Sequence, residues 1–383
     1  MMNDTDRSDP LPRSGVAAIG GHMEIPERLG RPGTIRLCSN ENPLGPSPLA
    51  IAAATAALGR SNEYPEAEGG ELTQAIARYY GVDPTRVRIG GGSDTLLLGL
   101  VLAFTEPGDE VVFPANGYAR NGRYPAISGA TPVPVADRGD FRADLAAMAN
   151  AVSSRTRIVI IANPDNPSGA MLTAAELAQF HAALPERVLL VLDGAYADYV
   201  RDAAYGDGGL ALAASAGNVV VSRTFSKIFA LAGMRLGWMT GPPALLAAAG
   251  KAGPTFPVTV PTLAAGLAAI GDGAHIAAAR RHNDTWLPWL AERLSRHSEL
   301  TVYPSQANFQ LVRFPDIPGG TAADCTAMLA RHGLLVRRVT NPAYSNHLRI
   351  SIGPAEGIAA CADLIDDFPL SSIPARKRRE VPP

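Results

Sequence analysis

Only three cysteines occur in the 383 residues, Cys38, Cys325 and Cys361, and none has the close spacing of a disulfide framework or a zinc ligand set. No metal centre is expected, and a reducing, cytoplasmic setting suits so few thiols. An excess of one charge is missing too: Lys and Arg number 34 against 36 Asp and Glu, a formal net charge of -2, so no broad field exists to hold a nucleic-acid backbone. Long apolar runs are also absent. The longest, residues 96–104 (LLLGLVLAF), has the size of a core helix, not of a membrane span, and residues 1–15 lack the apolar centre of a signal peptide. Small molecules are therefore the expected partners, with no nucleic acid and no membrane.

What the sequence does have is core material. Hydrophobic residues make up 46% and charged residues 18%, which excludes disorder over most of the length, and 383 residues exceed what one core usually serves. Short apolar runs at 87–89, 110–113, 157–162, 188–192, 219–222 and 236–240 are continuous rather than alternating, the habit of strands buried on both faces of a mostly parallel sheet. Helical patterns fall between them at 48–58, 70–80, 95–104 and 173–183, the last opened by a capping box of Thr173 and Glu176. The expectation is α/β: a large domain with a mostly parallel sheet and a smaller α+β C-terminal domain. A proline-rich stretch, 253–261, precedes one long helical pattern through 264–294 and strand-like runs at 300–303, 309–314 and 347–352. The division expected is a flexible leader 1–34, a large domain 35–265 with an N-terminal arm, a small domain 266–370 and a basic tail 371–383. That tail reads as a frayed, solvated end rather than a nucleic-acid arm.

In parallel α/β sheets ligands bind beyond the carboxyl ends of the strands, so the residues following each apolar run are the informative ones. Four such places carry unusual residues: Gly90-Gly91-Gly92-Ser93-Asp94, Asn163-Pro164-Asp165-Asn166-Pro167-Ser168-Gly169, Asp193-Gly194-Ala195-Tyr196, and Arg223-Thr224-Phe225-Ser226-Lys227. Each alone has a plain reading. Asn-Pro pairs and glycine runs make turns, Asp after a strand caps helices, and a lone lysine usually lies on the surface.

Taken in order and followed by Gly233-Met234-Arg235-Leu236-Gly237, these motifs resemble the fold-type-I pyridoxal-5′-phosphate (PLP) aminotransferases over residues 35–368. Within that family the chain looks most like the histidinol-phosphate branch. That likeness rests on Ser39-Asn40-Glu41-Asn42-Pro43-Leu44-Gly45-Pro46, Tyr64-Pro65 and Leu348-Arg349-Ile350-Ser351-Ile352-Gly353.

The resemblance implies a transaminase of amino-acid biosynthesis that passes an amino group between a small-molecule amino donor and a 2-oxo acid such as 2-oxoglutarate. Lys227 would bond the cofactor covalently and shuttle a proton, work that needs an amine nucleophile. Asp193 would keep the ring nitrogen protonated, because a carboxylate beside it favours the cation, and Tyr196 and Asn166 would bond the ring 3′-oxygen. The phosphate would sit on the helix start at Ser93, Asp94 and Thr95, with Thr224, Ser226 and the fork of Arg235. Tyr64 would reach the cofactor of a neighbouring subunit, which requires a homodimer. Asn42, Arg337 and Arg349 would contact substrate, the arginines as anion clamps, although either could be an ordinary ion pair.

The chain departs from the family pattern in three places. Asn116 stands where an aromatic or histidine ring normally covers the cofactor, with Tyr118 nearby; Gly194 replaces a larger residue; and Pro257 replaces an asparagine. Two other functions stay open on sequence grounds. One is a specialised PLP enzyme of the same fold, a decarboxylase, racemase or oxidase, since the bond broken at Cα depends on geometry. The other is a silent sensing or scaffolding module, which would be expected to lose the lysine or carry a DNA-binding extension.

Overall fold

The computed structural model describes residues 11–20, 33–66, 68–339 and 341–370. The expected tail 371–383 lies outside the described residues, as does the expected leader 1–34 apart from 11–20 and 33–34. Within 11–20, Ser14–Ala17 forms one helical turn, and the Arg13 guanidinium donates to the carbonyls of Ile127 and Ser128.

Twelve strands occur among the described residues: β1 Ile35–Leu37, β2 Val87–Gly90, β3 Glu110–Pro114, β4 Thr131–Val135, β5 Thr156–Ala162, β6 Leu189–Asp193, β7 Val219–Thr224, β8 Gly237–Thr240, β9 Thr301–Val302, β10 Phe309–Arg313, β11 Leu334–Arg338 and β12 His347–Ser351. Seven form one sheet in the order β2-β8-β7-β6-β5-β3-β4, in which β8 alone runs against its neighbours. The remaining five form a second sheet, β1-β11-β12-β10-β9, antiparallel except where β1 meets β11. The α/β reading with a large, mostly parallel sheet is the fold.

Continuous apolar runs place the strands of the large sheet between two helical layers. Val159, Ile161, Leu190, Leu192, Val219 and Val221 join one core, while Ile158, Ile160, Leu189, Val191 and Val220 join the other. A fully buried Val, Leu or Ile contributes about 1.5–3 kcal/mol, so both faces are heavily committed. A third core lies under the second sheet and includes Leu37 of β1 with Leu290, Leu348, Ile350 and Ile358.

Two local readings need correction. The pattern over 264–294 is not one helix but two, Val260–Gly271 and Gly273–Leu294, bent by 73°. Asp272 at the break accepts from His275 N at 3.0 Å and from Ser47 Oγ at 2.5 Å, so it caps the second helix and ties it to the 42–47 turn. Strand β4 (TPVPV) went unnoticed because prolines mark turns; it is tolerated here on the sheet edge, where no further strand needs the missing N–H groups. Among the described residues no single helix is long and apolar enough to cross a membrane.

Candidate active site

The carboxyl ends of β2, β3, β5, β6 and β7 open on one edge of the large sheet, and the motif residues follow them. At the end of β6, Asp193 is 4% exposed. Burial pushes its carboxyl up to about 7, the charge of Asp94 adds to that, and the Ala195 N–H, Arg223 and Lys227 pull the other way. A carboxylate this destabilised in isolation gains most from a cationic partner.

Lys227 lies three residues beyond β7, and its Nζ is 3.3 Å from the Ser39 carbonyl and 5.5 Å from the centre of the Tyr196 ring. The Tyr196 hydroxyl accepts from Asn40 Nδ2 at 2.9 Å and from Asn166 Nδ2 at 3.3 Å. Asn166 Oδ1 in turn accepts from Arg349 Nη1 at 2.5 Å. The two sheets therefore meet at Tyr196.

The helix Ser93–Phe104 begins two residues earlier than its apolar pattern suggests, directly after the glycines. Gly92 has φ +90, and a Cβ there would come within 2.6 Å of Arg235 Nη2; one on Gly237 would come within 2.5 Å of Ser93 N. The bare backbone thus leaves a cradle between the helix N-terminus and the Arg235 guanidinium, the charge pattern that holds a phosphate. Thr224 Oγ1 donates to Ser226 Oγ at 2.9 Å, Arg235 Nη1 reaches the same Ser226 oxygen at 3.5 Å, and Thr95 Oγ1 bonds the Gly92 carbonyl at 2.9 Å. The Asp94 carboxylate points away from this cradle, accepting from Tyr118 Oη at 3.1 Å and Tyr124 Oη at 2.7 Å, with Arg120 Nε at 3.4 Å.

Arg349 and Arg337 face each other in register on β12 and β11. Both donate to the Cys38 carbonyl, at 2.8 and 3.2 Å. Burial lowers the Arg349 guanidinium to about 10, with Arg337 contributing and Tyr196 opposing, so it stays charged at neutral pH. Its Nε, though buried, has no hydrogen-bond partner.

Three anticipated residues have their contacts elsewhere in the chain. Asn116 is half-buried, its backbone N–H bonded to Asp137 Oδ2 at 3.0 Å. Asn42 spends its amide on the chain itself, donating to the Ile228 carbonyl at 2.9 Å and accepting from Leu44 N at 3.0 Å. Tyr64 is 82% exposed and stacks on Phe256, ring centres 4.6 Å apart. Conversely, Asn40 and Ser351 were overlooked although both sit inside the quoted motifs. Among the described residues no group of three His, Cys, Asp or Glu side chains could hold a metal.

Comparison with known proteins agrees with this geometry. Residues 32–365 match the family of aminotransferases of class I and II. Histidinol-phosphate aminotransferases from Rhodopseudomonas palustris (strain BisB18) and Nitrobacter hamburgensis are each 39% identical, over 363 and 365 residues, covering 94% of this chain and 99% of each relative. Among solved structures, the histidinol-phosphate aminotransferase of Sinorhizobium meliloti in complex with pyridoxal-5′-phosphate superposes with a TM-score of 0.85 at 28% identity, covering 95% of this chain and 98% of that one. The aspartate aminotransferase of Rhizobium meliloti, 23% identical with a TM-score of 0.77 over 94% of this chain and 99% of that one, shares the fold.

Proposed function

Because the chain belongs to the aminotransferases of class I and II, we propose that the strand-end cluster around Lys227 is the active site of this PLP-dependent transaminase and that its amino donor resembles histidinol phosphate. One observation carries the assignment. A buried carboxylate (Asp193), an amine (Lys227), a tyrosine set between two amides (Tyr196) and a glycine-lined helix start beside Arg235 converge on one sheet edge, and each supplies what a different part of the cofactor needs.

When bound, PLP offers a carbonyl that captures amines and a cationic ring that accepts the electrons released at the substrate Cα. The chain's own residues do the rest. Lys227 would hold the cofactor covalently through Nζ and, as a free amine, hold or move a proton there. Asp193 keeps the ring nitrogen charged. Asn166 and Tyr196 direct hydrogens at the 3′-oxygen; Ser93, Asp94 and Thr95 give backbone N–H groups to the phosphate, supported by Thr224, Ser226 and Arg235. Arg349 would take one anionic end of the substrate and Arg337 the other, with Asn42 on the substrate side as well. Asn116 would lie beside the cofactor ring. The amino group leaves the donor in the first half-reaction and enters the 2-oxo acid in the second, so the protein ends unchanged.

The same reading gives a large unit over 35–265, whose N-terminal arm lends β1 to the second sheet, a small one over 266–370 and a homodimer. Exposed apolar side chains, Leu44, Leu49, Ile51 and Leu58 with the stacked pair Tyr64 and Phe256, support the dimer. Three buried, unpaired thiols suit a cytoplasmic location. The test is a screen of amino donors against 2-oxoglutarate, followed by cofactor absorbance. Turnover of histidinol phosphate above aromatic amino acids is expected; turnover of aromatic amino acids alone would overturn the donor assignment.

A further inference from the structure

Asn40 is 1% exposed and adopts φ +53, a left-handed conformation that Asn tolerates better than other side chains. Its backbone N–H donates to Ser351 Oγ at 2.8 Å, and Ser351 Oγ returns its own hydrogen to Asn40 Oδ1 at 2.7 Å. Asn308 Nδ2 holds the Asn40 carbonyl at 3.1 Å. With Oδ1 occupied by a donor, the amide has one orientation: Nδ2 must face Tyr196, 2.9 Å away. Asn166 is fixed by the same logic, because its Oδ1 receives Arg349. Two N–H groups thus point at one phenol oxygen.

A phenol has one hydrogen to donate and lone pairs to accept with. When two amides both donate to it, its hydrogen cannot point at either and must take the remaining direction. We infer that Asn40 is a positioning residue: locked by Ser351, it makes Tyr196 an acceptor on the protein side and so aims the phenol hydrogen at the cofactor 3′-oxygen. This rests on the assignment of Tyr196 to that oxygen. The charged and titratable groups facing Tyr196 are Lys227, Arg349, Tyr118 and Tyr199, and none of them is altered in the variants below.

The inference is tested with the PLP-loaded enzyme by titrating its visible absorbance against pH. Asn40→Asp is nearly isosteric and tolerates the same backbone, but its carboxylate accepts instead of donating and draws the Tyr196 hydrogen away from the 3′-oxygen. An upward move of the titration midpoint by about one pH unit is expected, the size of one lost hydrogen bond. Asn40→Gly, free of backbone strain, and Ser351→Ala should move it in the same direction by less. In a Tyr196→Phe background Asn40→Asp should add clearly less, since only its charge and not the phenol hydrogen then acts on the cofactor. A wild-type midpoint in Asn40→Asp, or an equal shift in the Tyr196→Phe background, overturns the inference while leaving the active-site assignment standing. If Tyr196→Phe itself leaves the midpoint unmoved, the assignment of Tyr196 fails and the inference falls with it.

Discussion

Lys227 Nζ and the Tyr196 ring face each other at 5.5 Å across the ends of two adjacent parallel strands, although 31 positions separate them in the chain. Parallel strands bring their carboxyl ends to one edge, so residues far apart in sequence become neighbours there. Lys227 has little packing to lose, since its side chain donates one long hydrogen bond, to the Ser39 carbonyl. Lys227→Ala is therefore expected to fold with a near-normal melting temperature and to lose the visible absorbance of the lysine-bound cofactor along with transamination. Retention of that absorbance in the variant would remove Lys227 from its assigned role.

A second prediction concerns Asp165, beside Asn166. Burial pushes its carboxyl up to about 7, the Ser168 bonds pull it down and the charge of Asp137 pushes it up. Because the folded value lies above the ordinary one, the folded protein holds this proton more readily; stability is full below about pH 4 and falls as pH rises through about 7. That buried charge costs on the order of 4 kcal/mol at most. Asp165→Asn keeps an acceptor for Ser168 Oγ, now 2.8 Å away, and removes the charge. Its melting temperature should exceed wild type by roughly several degrees near pH 8 and by much less near pH 5. An equal change at both pH values would contradict the buried-charge account.

The parts legible in the sequence were those set by local composition. β5, β6 and β7 announced themselves because both faces are buried, which forces continuous apolar runs. The break at Asp272 was hidden because alanine-rich helical texture continues on both sides, and one of the contacts that fix Asp272 there, Ser47, is 225 residues away. Asn40 was hidden for the same kind of reason: its amide matters only because Tyr196 and Ser351, 156 and 311 residues away, meet it. Tyr118 looked secondary to Asn116 in a linear reading. In the fold it is Tyr118 that reaches Asp94 at the helix start, a direction set by the loop and not by composition.

Tyr64 and Phe256 predict assembly. A stacked aromatic pair at 82% and 42% exposure loses water contact favourably only if another surface covers it. Sedimentation should give a dimer at working concentration, and Tyr64→Phe should weaken PLP retention without abolishing covalent capture, because the ring remains and only the hydroxyl is lost. An active monomer would refute the shared site.

The most demanding prediction concerns the two arginines. Arg337 and Arg349 stand opposite one another in the register of β11 and β12 and share the Cys38 carbonyl, yet their surroundings differ. Arg349 is buried over the Phe309 ring at 5.3 Å and already engages Asn166, so its charge is oriented before substrate arrives. Removing it should cost every anionic donor alike, about ten- to a hundredfold in kcat/KM, the worth of one charge-assisted hydrogen bond. Arg337 is the less enclosed of the pair, the better placed for an end group that varies between donors. Arg337→Ala should then cost histidinol phosphate about ten- to a hundredfold while leaving phenylalanine within a few-fold of wild type. Both variants are measured on both substrates, with kcat and KM separated: a phosphate clamp raises KM for the phosphorylated donor selectively. Equal losses on the two donors in Arg337→Ala would dispose of the phosphate clamp and leave Arg349 as the anion site common to both.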